Sequence, residues 1–312
     1  MQTILITVYI AHGVVQFEQA YKTIIVDNLS NSQLNQIEIK KILYIPKFYQ
    51  IDLKDKQDLE KVFEENKIDV IHFAWKAVES CKKTIDYFQN NITSINLFEL
   101  MEKYNVKKII FSSSATVYNQ EIFDKKDFSA KEKDLINTTN PYGTTKYVIE
   151  KLLKDLATFL NFSVIILRYF NPVTHKSYIE SPKIPNNLLP YIMKVANELK
   201  YLNVFDDYDT EDGTKRDYID VNDLIFHIKA YEKIKNINDF FEIYNLTKSI
   251  SVLEMIKIAE KITQKIPYKI AAKRQDLANV YCNPQKAEKE LNWKATTSLE
   301  ESLKNAWKFY NN

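Results

Sequence analysis

Residues 108–114 read Lys-Ile-Ile-Phe-Ser-Ser-Ser, and the fold can be read outward from the segment KIIFS (Lys108–Ser112). It is short, apolar and rich in β-branched side chains. It lacks the polar alternation of a half-exposed strand, so it predicts a strand buried on both faces. Four more segments share that character: TILIT (Thr3–Thr7), KTIIV (Lys22–Val26), DVIHF (Asp69–Phe73) and SVIILR (Ser163–Arg168). Between them, Gln57–Glu65, Thr84–Tyr104 and Tyr142–Leu160 place apolar residues at helical spacing. Strand alternating with helix predicts an α/β fold, a parallel sheet with helices on both faces. After about residue 170 the pattern changes, with Pro172, Pro182, Pro185 and Pro190 and helical segments near 186–200, 222–234, 251–263 and 298–309. A smaller mixed α/β domain is expected there. The charged stretch Lys125–Asp134 reads as a solvated loop.

A chain of 312 residues suits one large or two modest domains. With 45% hydrophobic and 27% charged residues it is neither disordered nor fibrous. A net charge of +2 points to no nucleic acid and no membrane surface as partner. Cys81 and Cys282 cannot build a disulfide framework or a four-ligand zinc site, and the four histidines (12, 72, 175, 227) show no metal-ligand spacing. No apolar run reaches the roughly 18 residues of a membrane span, and Met1-Gln2-Thr3 lacks the basic start of a secretory leader. A soluble, cytoplasmic protein is expected. One count is abnormal: only Gly13, Gly143 and Gly213 are glycine, where ordinary usage of about 7% would give about 22. Arginine is equally scarce, at Arg168, Arg216 and Arg274.

Tyr142 and Lys146 stand four apart at the start of a helix, with Asn140 placed to be its N-cap and Pro141 its first residue. That spacing puts phenol and ammonium on one face, and a nearby cation lowers the phenol's pKa so that it can act as a base. With 20 tyrosines, about two or three such pairs arise by chance, so the spacing alone is weak. Ser112-Ser113-Ser114 strengthens it, because a parallel strand delivers its C-terminal end to the ligand-binding edge. A hydroxyl there can hold a substrate oxygen whose proton Tyr142 removes. Asp27 ends the second strand 20 residues after Thr7, where a carboxylate accepts from the adenosine ribose of a dinucleotide, or merely starts a turn. Arg216 and Arg274 are arginines kept where most cations are lysine, which suits a bidentate grip on pyrophosphate.

Taken together, VDNLSNS (26–32), VIHFAWKAVES (70–80), FSSSATVY (111–118), NPYGTTK (140–146), LRYFNP (167–172), IPNNLLPYI (184–192), TEDGTKRDYIDV (210–221) and AEKELNWKAT (287–296) span the chain. In these segments it resembles the UDP-glucose 4-epimerases of the extended short-chain dehydrogenase/reductase family. The resemblance implies a Rossmann-type doubly wound sheet holding NAD over residues 1–170. It also implies a UDP-sugar domain over 171–312, with some later segments returning to the first, and a homodimer. By position, Ser114, Tyr142 and Lys146 would be catalytic. Tyr9 and Ile10 would lie in the phosphate loop, and Asp27, Asn28, Asn31 and Ser32 would hold the adenosine ribose. Asp52 and Leu53 would face adenine, while Phe73, Ala74, Lys76 and Asn91 would line the rest of the cofactor. Tyr169 and Phe170 would fall beside nicotinamide and sugar. Asn171, Asn187, Leu188, Arg216, Arg274 and Asp276 match contacts to the UDP-sugar, and Val280 the site beside the sugar's 2-substituent. A valine there, much smaller than tyrosine, leaves room for an N-acetyl group. Dehydratases of the wider family place an acidic pair after the catalytic hydroxyl; here Ala115-Thr116 follows Ser114.

The departure from the family pattern is glycine. The phosphate loop is stripped between Thr7 and Ala11. Similar gaps fall between Ala20 and Tyr21, Ala74 and Trp75, Val78 and Glu79, Tyr118 and Asn119, Thr214 and Lys215, and Gln275 and Asp276. Loss of one amino acid beside an intact Ser, Tyr and Lys fits a coding effect, a codon that the organism reads as glycine and that this sequence skips. A chain truly lacking these residues would offer pyrophosphate too short a turn and should bind NAD poorly. A deletion inside an element would also turn its buried face away from the core.

Overall fold

Every residue of the strand Thr3–Thr7 is buried, as its apolar run predicts. The computed structural model describes residues 2–7, 21–30, 47–73, 84–119, 129–173, 188–198, 201–205, 215–220, 223, 226–263, 266–271 and 281–310. In chain order the strands are β1 (Thr3–Thr7), β2 (Lys22–Val26), β3 (Lys47–Tyr49), β4 (Val70–Phe73), β5 (Lys108–Ser114), β6 (Ser163–Tyr169), β7 (Pro172–Val173), β8 (Leu202–Phe205), β9 (Lys215–Asp220), β10 (Phe241–Leu246), β11 (Lys248–Ser251) and β12 (Tyr268–Ala271). The helices are α1 (Lys56–Glu65), α2 (Thr84–Lys103), α3 (Pro141–Leu160), α4 (Leu188–Glu198), α5 (Phe226–Lys235), α6 (Val252–Ile262), α7 (Gln285–Leu291) and α8 (Leu299–Tyr310).

Seven strands form one parallel sheet in the order β10-β6-β5-β4-β1-β2-β3. Ile4, Ile6, Ile110, Ile165 and Leu167 face one layer with α5 residues Ala230, Tyr231 and Ile234. Leu5, Ile71, Ile109, Phe111 and Ile166 face the other, with Leu59 of α1, Leu97 of α2 and Ile149 of α3. Two apolar faces explain the continuous apolar runs, each fully buried Ile or Leu contributing about 1.5–3 kcal/mol. This is the Rossmann-type doubly wound arrangement. From β1 the chain winds outward through β2 and β3, then returns to β4 and winds the other way. The reversal between β1 and β4 opens a crevice at the carboxyl ends of the strands, where ligands bind in such sheets. A separate core gathers Ile192 and Met193 of α4, Met255 and Ile256 of α6 and Leu303 of α8.

Left-handed backbone is taken by Asn105, Asn161, Asp239 and Asn292, short polar side chains that tolerate it, and by Leu29, which does so at a cost. Glycine junctions bordered by described residues lie at element ends: Thr7 closes β1, Tyr21 precedes β2 and Lys215 opens β9. Between Tyr118 and Asn119 the chain is continuous, with Tyr118 bridged to Ile136 and Asn119 N–H donating to Leu135 O at 3.2 Å. The strands β1, β2, β5 and β6 keep buried the apolar runs that predicted them.

Candidate functional site

β5 runs two residues further than its apolar stretch, carrying Ser113 and Ser114 to the carboxyl edge of the sheet. Ser114 then caps a single 3₁₀ turn, Ala115–Val117, its Oγ accepting from Thr116 N at 3.3 Å and from Thr116 Oγ1 at 3.0 Å. α3 starts against that turn. Asn140 is its N-cap, Oδ1 accepting from Gly143 N at 2.8 Å, and Pro141 is its first residue, as predicted. A Cβ on Gly143 would lie 2.3 Å from the Thr116 carbonyl oxygen, so only glycine lets turn and helix approach this closely.

The three serines meet three successive turns of α3. The Ser114 hydroxyl lies near enough to the Tyr142 phenol to favour its ionised form. Lys146 Nζ donates to Ser112 O at 2.6 Å, and Ser113 Oγ donates to Glu150 Oε1 at 2.5 Å. Lys146 also sits 4.9 Å from the Phe111 ring centroid and 5.6 Å from that of Tyr142, while Tyr87 of α2 meets Tyr142 edge-on at 6.3 Å. Burial pushes the Tyr142 hydroxyl up to about 12, against the neighbouring Ser114 hydroxyl, which lowers it. Burial likewise holds the Lys146 ammonium well below its ordinary range, with Glu150 acting the other way. The expected lowering of the phenol by its cation is therefore overridden. Desolvation of both groups outweighs a contact of 5.6 Å.

At the ends of β2 and β3, Asp27 Oδ1 accepts from Leu29 N at 2.6 Å, and Asn28 Nδ2 donates to Asp52 Oδ2 at 3.1 Å. Asp27, Asn28 and Asp52 thus gather on one rim, held by a left-handed residue, Leu29, with the strain typical of a functional turn. The Leu53 side chain is packed in the core, so only its backbone can face a ligand. Asn91 Oδ1 on α2 is buried with no hydrogen-bond partner among the described residues. A buried acceptor left without a donor is what a bound polar group would satisfy, and the rim and this acceptor together fit a dinucleotide.

At the end of β6 and just past it, Ser112 Oγ donates to the Tyr169 hydroxyl at 3.4 Å, Phe170 packs 6.4 Å from the Tyr118 ring, and Asn171 Nδ2 donates to Asp217 O at 2.8 Å. Leu188 opens α4 and packs on the separate core. For Phe73, which ends β4, and Arg216, in β9, the description stops at the backbone. Tyr9, Ile10, Asn31, Ser32, Ala74, Lys76, Asn187, Arg274, Asp276 and Val280 lie outside the described residues.

Sequence reasoning missed the polar group behind the row of Ser114, Tyr142 and Lys146. Arg168 pairs with Glu150 through Nη2–Oε2 at 2.6 Å and Nε–Oε1 at 3.0 Å, and its Nη1 donates to Glu132 O at 3.1 Å. The described part of the charged stretch 125–134 is accordingly docked: Ala130 is fully buried and Asn245 N donates to Glu132 Oε1 at 2.9 Å. One signal was available, since Glu150 continues the i, i+4 spacing of Tyr142 and Lys146.

The family model described as GDP-mannose 4,6 dehydratase matches residues 2–306. UDP-glucose 4-epimerase of Pasteurella multocida (strain Pm70) is 46% identical over 319 positions, covering 95% of this chain and 93% of its own. The 95% of a 312-residue chain is about 296 residues, so about 23 of those positions have no counterpart here. UDP-glucose 4-epimerase from Bifidobacterium longum, solved in complex with NAD+ and UDP, superposes with a TM-score of 0.84 at 39% identity, covering 99% of this chain and 98% of its own. That from Stenotrophomonas maltophila, with bound NAD and formylated UDP-arabinopyranose, gives 0.89 at 35% identity over 100% and 98%. Identity of this order extends over nearly the whole of both chains, and the chain belongs to the UDP-glucose 4-epimerase family.

Proposed function

We propose that the chain interconverts UDP-glucose and UDP-galactose by reversible hydride transfer at sugar C4, with NAD as its resident cofactor. The observation that carries this reading is the meeting of Ser114, Tyr142 and Lys146 at the carboxyl edge of β5. Asp27, Asn28 and Asp52 would hold the adenosine half of NAD and Asn91 the remainder. When bound, NAD supplies the hydride acceptor and a positive charge that favours the phenolate. Tyr142 takes the proton of the sugar 4-hydroxyl as C4 loses its hydride, and Ser114 hydrogen-bonds that oxygen. The 4-keto sugar turns about its UDP anchor and recovers the hydride on its other face, while Tyr142 returns the proton. Lys146 orients the nicotinamide ribose.

Dehydration is disfavoured, because Ala115 is buried and Thr116 donates its hydroxyl to Ser114, leaving no acid beside it in sequence. Incubation with UDP-galactose tests the reading: UDP-glucose is the expected product, whereas a 4-keto-6-deoxy sugar would mean a dehydratase.

The reading includes a homodimer and a cytoplasmic site. Ile85, Phe88, Ile92 and Ile95 lie along one face of α2, each between 41% and 60% exposed. A second copy covering that row about a two-fold axis is the simplest occupant. Among the described residues no helix is long and apolar enough to cross a membrane. Cys282 is a free buried thiol, which suits a reducing compartment.

A further inference from the structure

The row on α3 does not stop at the catalytic pair. Glu150 lies one turn beyond Lys146 and is 3% exposed, with both carboxylate oxygens engaged by Ser113 and Arg168. Arg168 is fully buried, and its guanidinium also lies 4.7 Å from the Tyr118 ring centroid. Tyr118 donates to Asn245 Oδ1 at 2.7 Å, and Asn245 N is bound by Glu132. A buried ion pair is not needed for stability as such, since apolar residues of the same volume often hold a core at least as well. What distinguishes this pair is its place beside an amine that is itself only 2% exposed.

The groups that face Lys146 come from several elements. β5 brings the Phe111 ring and the Ser112 carbonyl, and α3 brings Tyr142 and Glu150. From α2 comes Tyr87, which reaches it through Tyr142, and from β6 comes Arg168, whose charge is directed into Glu150, Glu132 O and the Tyr118 face. Among the described residues, Glu150 is thus the carboxylate that acts on the amine.

We infer that Glu150, held by Arg168 and Ser113, is a positioning residue that supplies Lys146 with its countercharge and keeps it in line with Tyr142. The inference rests on the reading of Tyr142 and Lys146 as the catalytic pair. Burial drives the Lys146 ammonium toward its neutral form, and Glu150 opposes that drift. Tyr142, Lys146 and Glu150 then act as one row set along three consecutive serines, with Lys146 bound to the Ser112 carbonyl and Glu150 to the Ser113 hydroxyl.

The test compares the pH dependence of kcat/KM for UDP-galactose in the full chain and in Glu150→Gln, Glu150→Asp and the double variant Glu150→Gln/Arg168→Met. Each Tm is followed by circular dichroism. Removing the countercharge lowers the Lys146 pKa further, so the alkaline limb, where the cation is lost, moves down by about one pH unit in Glu150→Gln. Peak kcat falls roughly tenfold with KM little changed, and Glu150→Asp restores most of it. The single change leaves a buried arginine unpaired, which lowers Tm. The double variant removes that charge, so it recovers Tm while keeping the shifted limb. A wild-type alkaline limb in the double variant or in folded Glu150→Gln overturns the inference and leaves the pair a structural clamp. An active Tyr142→Phe would instead overturn the catalytic reading, so the two failures are separable.

Discussion

Gly143 has no room for a methyl group, since its Cβ would stand 2.3 Å from the Thr116 carbonyl oxygen. In Gly143→Ala the first turn of α3 must back away from the 3₁₀ turn, and Tyr142 leaves Ser114 by a large fraction of an ångström. Overpacking of this kind costs about 1–3 kcal/mol, and a misplacement near 1 Å costs roughly 10²-fold in rate. The expected result is a drop in kcat that exceeds any rise in KM, read by steady-state kinetics beside a thermal melt. Tyr142→Phe probes the chemistry itself. Loss of the base should cut turnover roughly 10²–10⁴-fold while circular dichroism stays native, because the ring and its packing against Tyr87 remain. An unchanged rate would mean that another group takes the proton. The cation at Lys146 was expected to lower this phenol, yet burial raises it to about 12. Spacing shows which groups are neighbours, and only the packed structure shows how much water they have lost.

At the scale of elements, β1, β2, β4, β5 and β6 were legible because both faces of the sheet are covered and each strand carries a short apolar, β-branched run. β3 (Lys47–Tyr49) escaped notice as three residues with a single buried side chain. β10 escaped for a different reason: FEIYNL is half exposed at its start and carries Asn245, a polar residue buried for its hydrogen bonds to Ala130 O and Tyr118. α7 is only seven residues, too short to show a period. The same limit applied to the site. Ser114, Tyr142 and Lys146 could be read locally, whereas Glu150 and Arg168 acquire meaning only when α3 is laid across β5 and β6. The exposed row on α2 makes its own prediction. Ile92→Glu with Ile95→Glu should convert a dimer to a monomer in sedimentation velocity without lowering the helix content. A wild-type chain that sediments as a monomer would remove this surface from the account.

At the scale of the molecule, glycine scarcity and an intact fold have to be reconciled. The junctions named from the family pattern fall between elements where they can be placed, and about 23 positions of the Pasteurella multocida relative lack a counterpart. Turns lose glycine without moving the core, which is why the sheet stays legible in a chain with three glycines. An extra in-frame codon, the same one each time, is expected between Ala20 and Tyr21 and at the other junctions. Contiguous codons would contradict the coding account and would make weak NAD retention by the purified chain the expected finding. Reversible hydride transfer at C4 is tested with UDP-galactose deuterated at that carbon. The expected product is UDP-glucose that retains the deuterium at C4 in the wild type, with almost none formed by Tyr142→Phe. Loss of the label to solvent, or product formed at an undiminished rate by Tyr142→Phe, would contradict it.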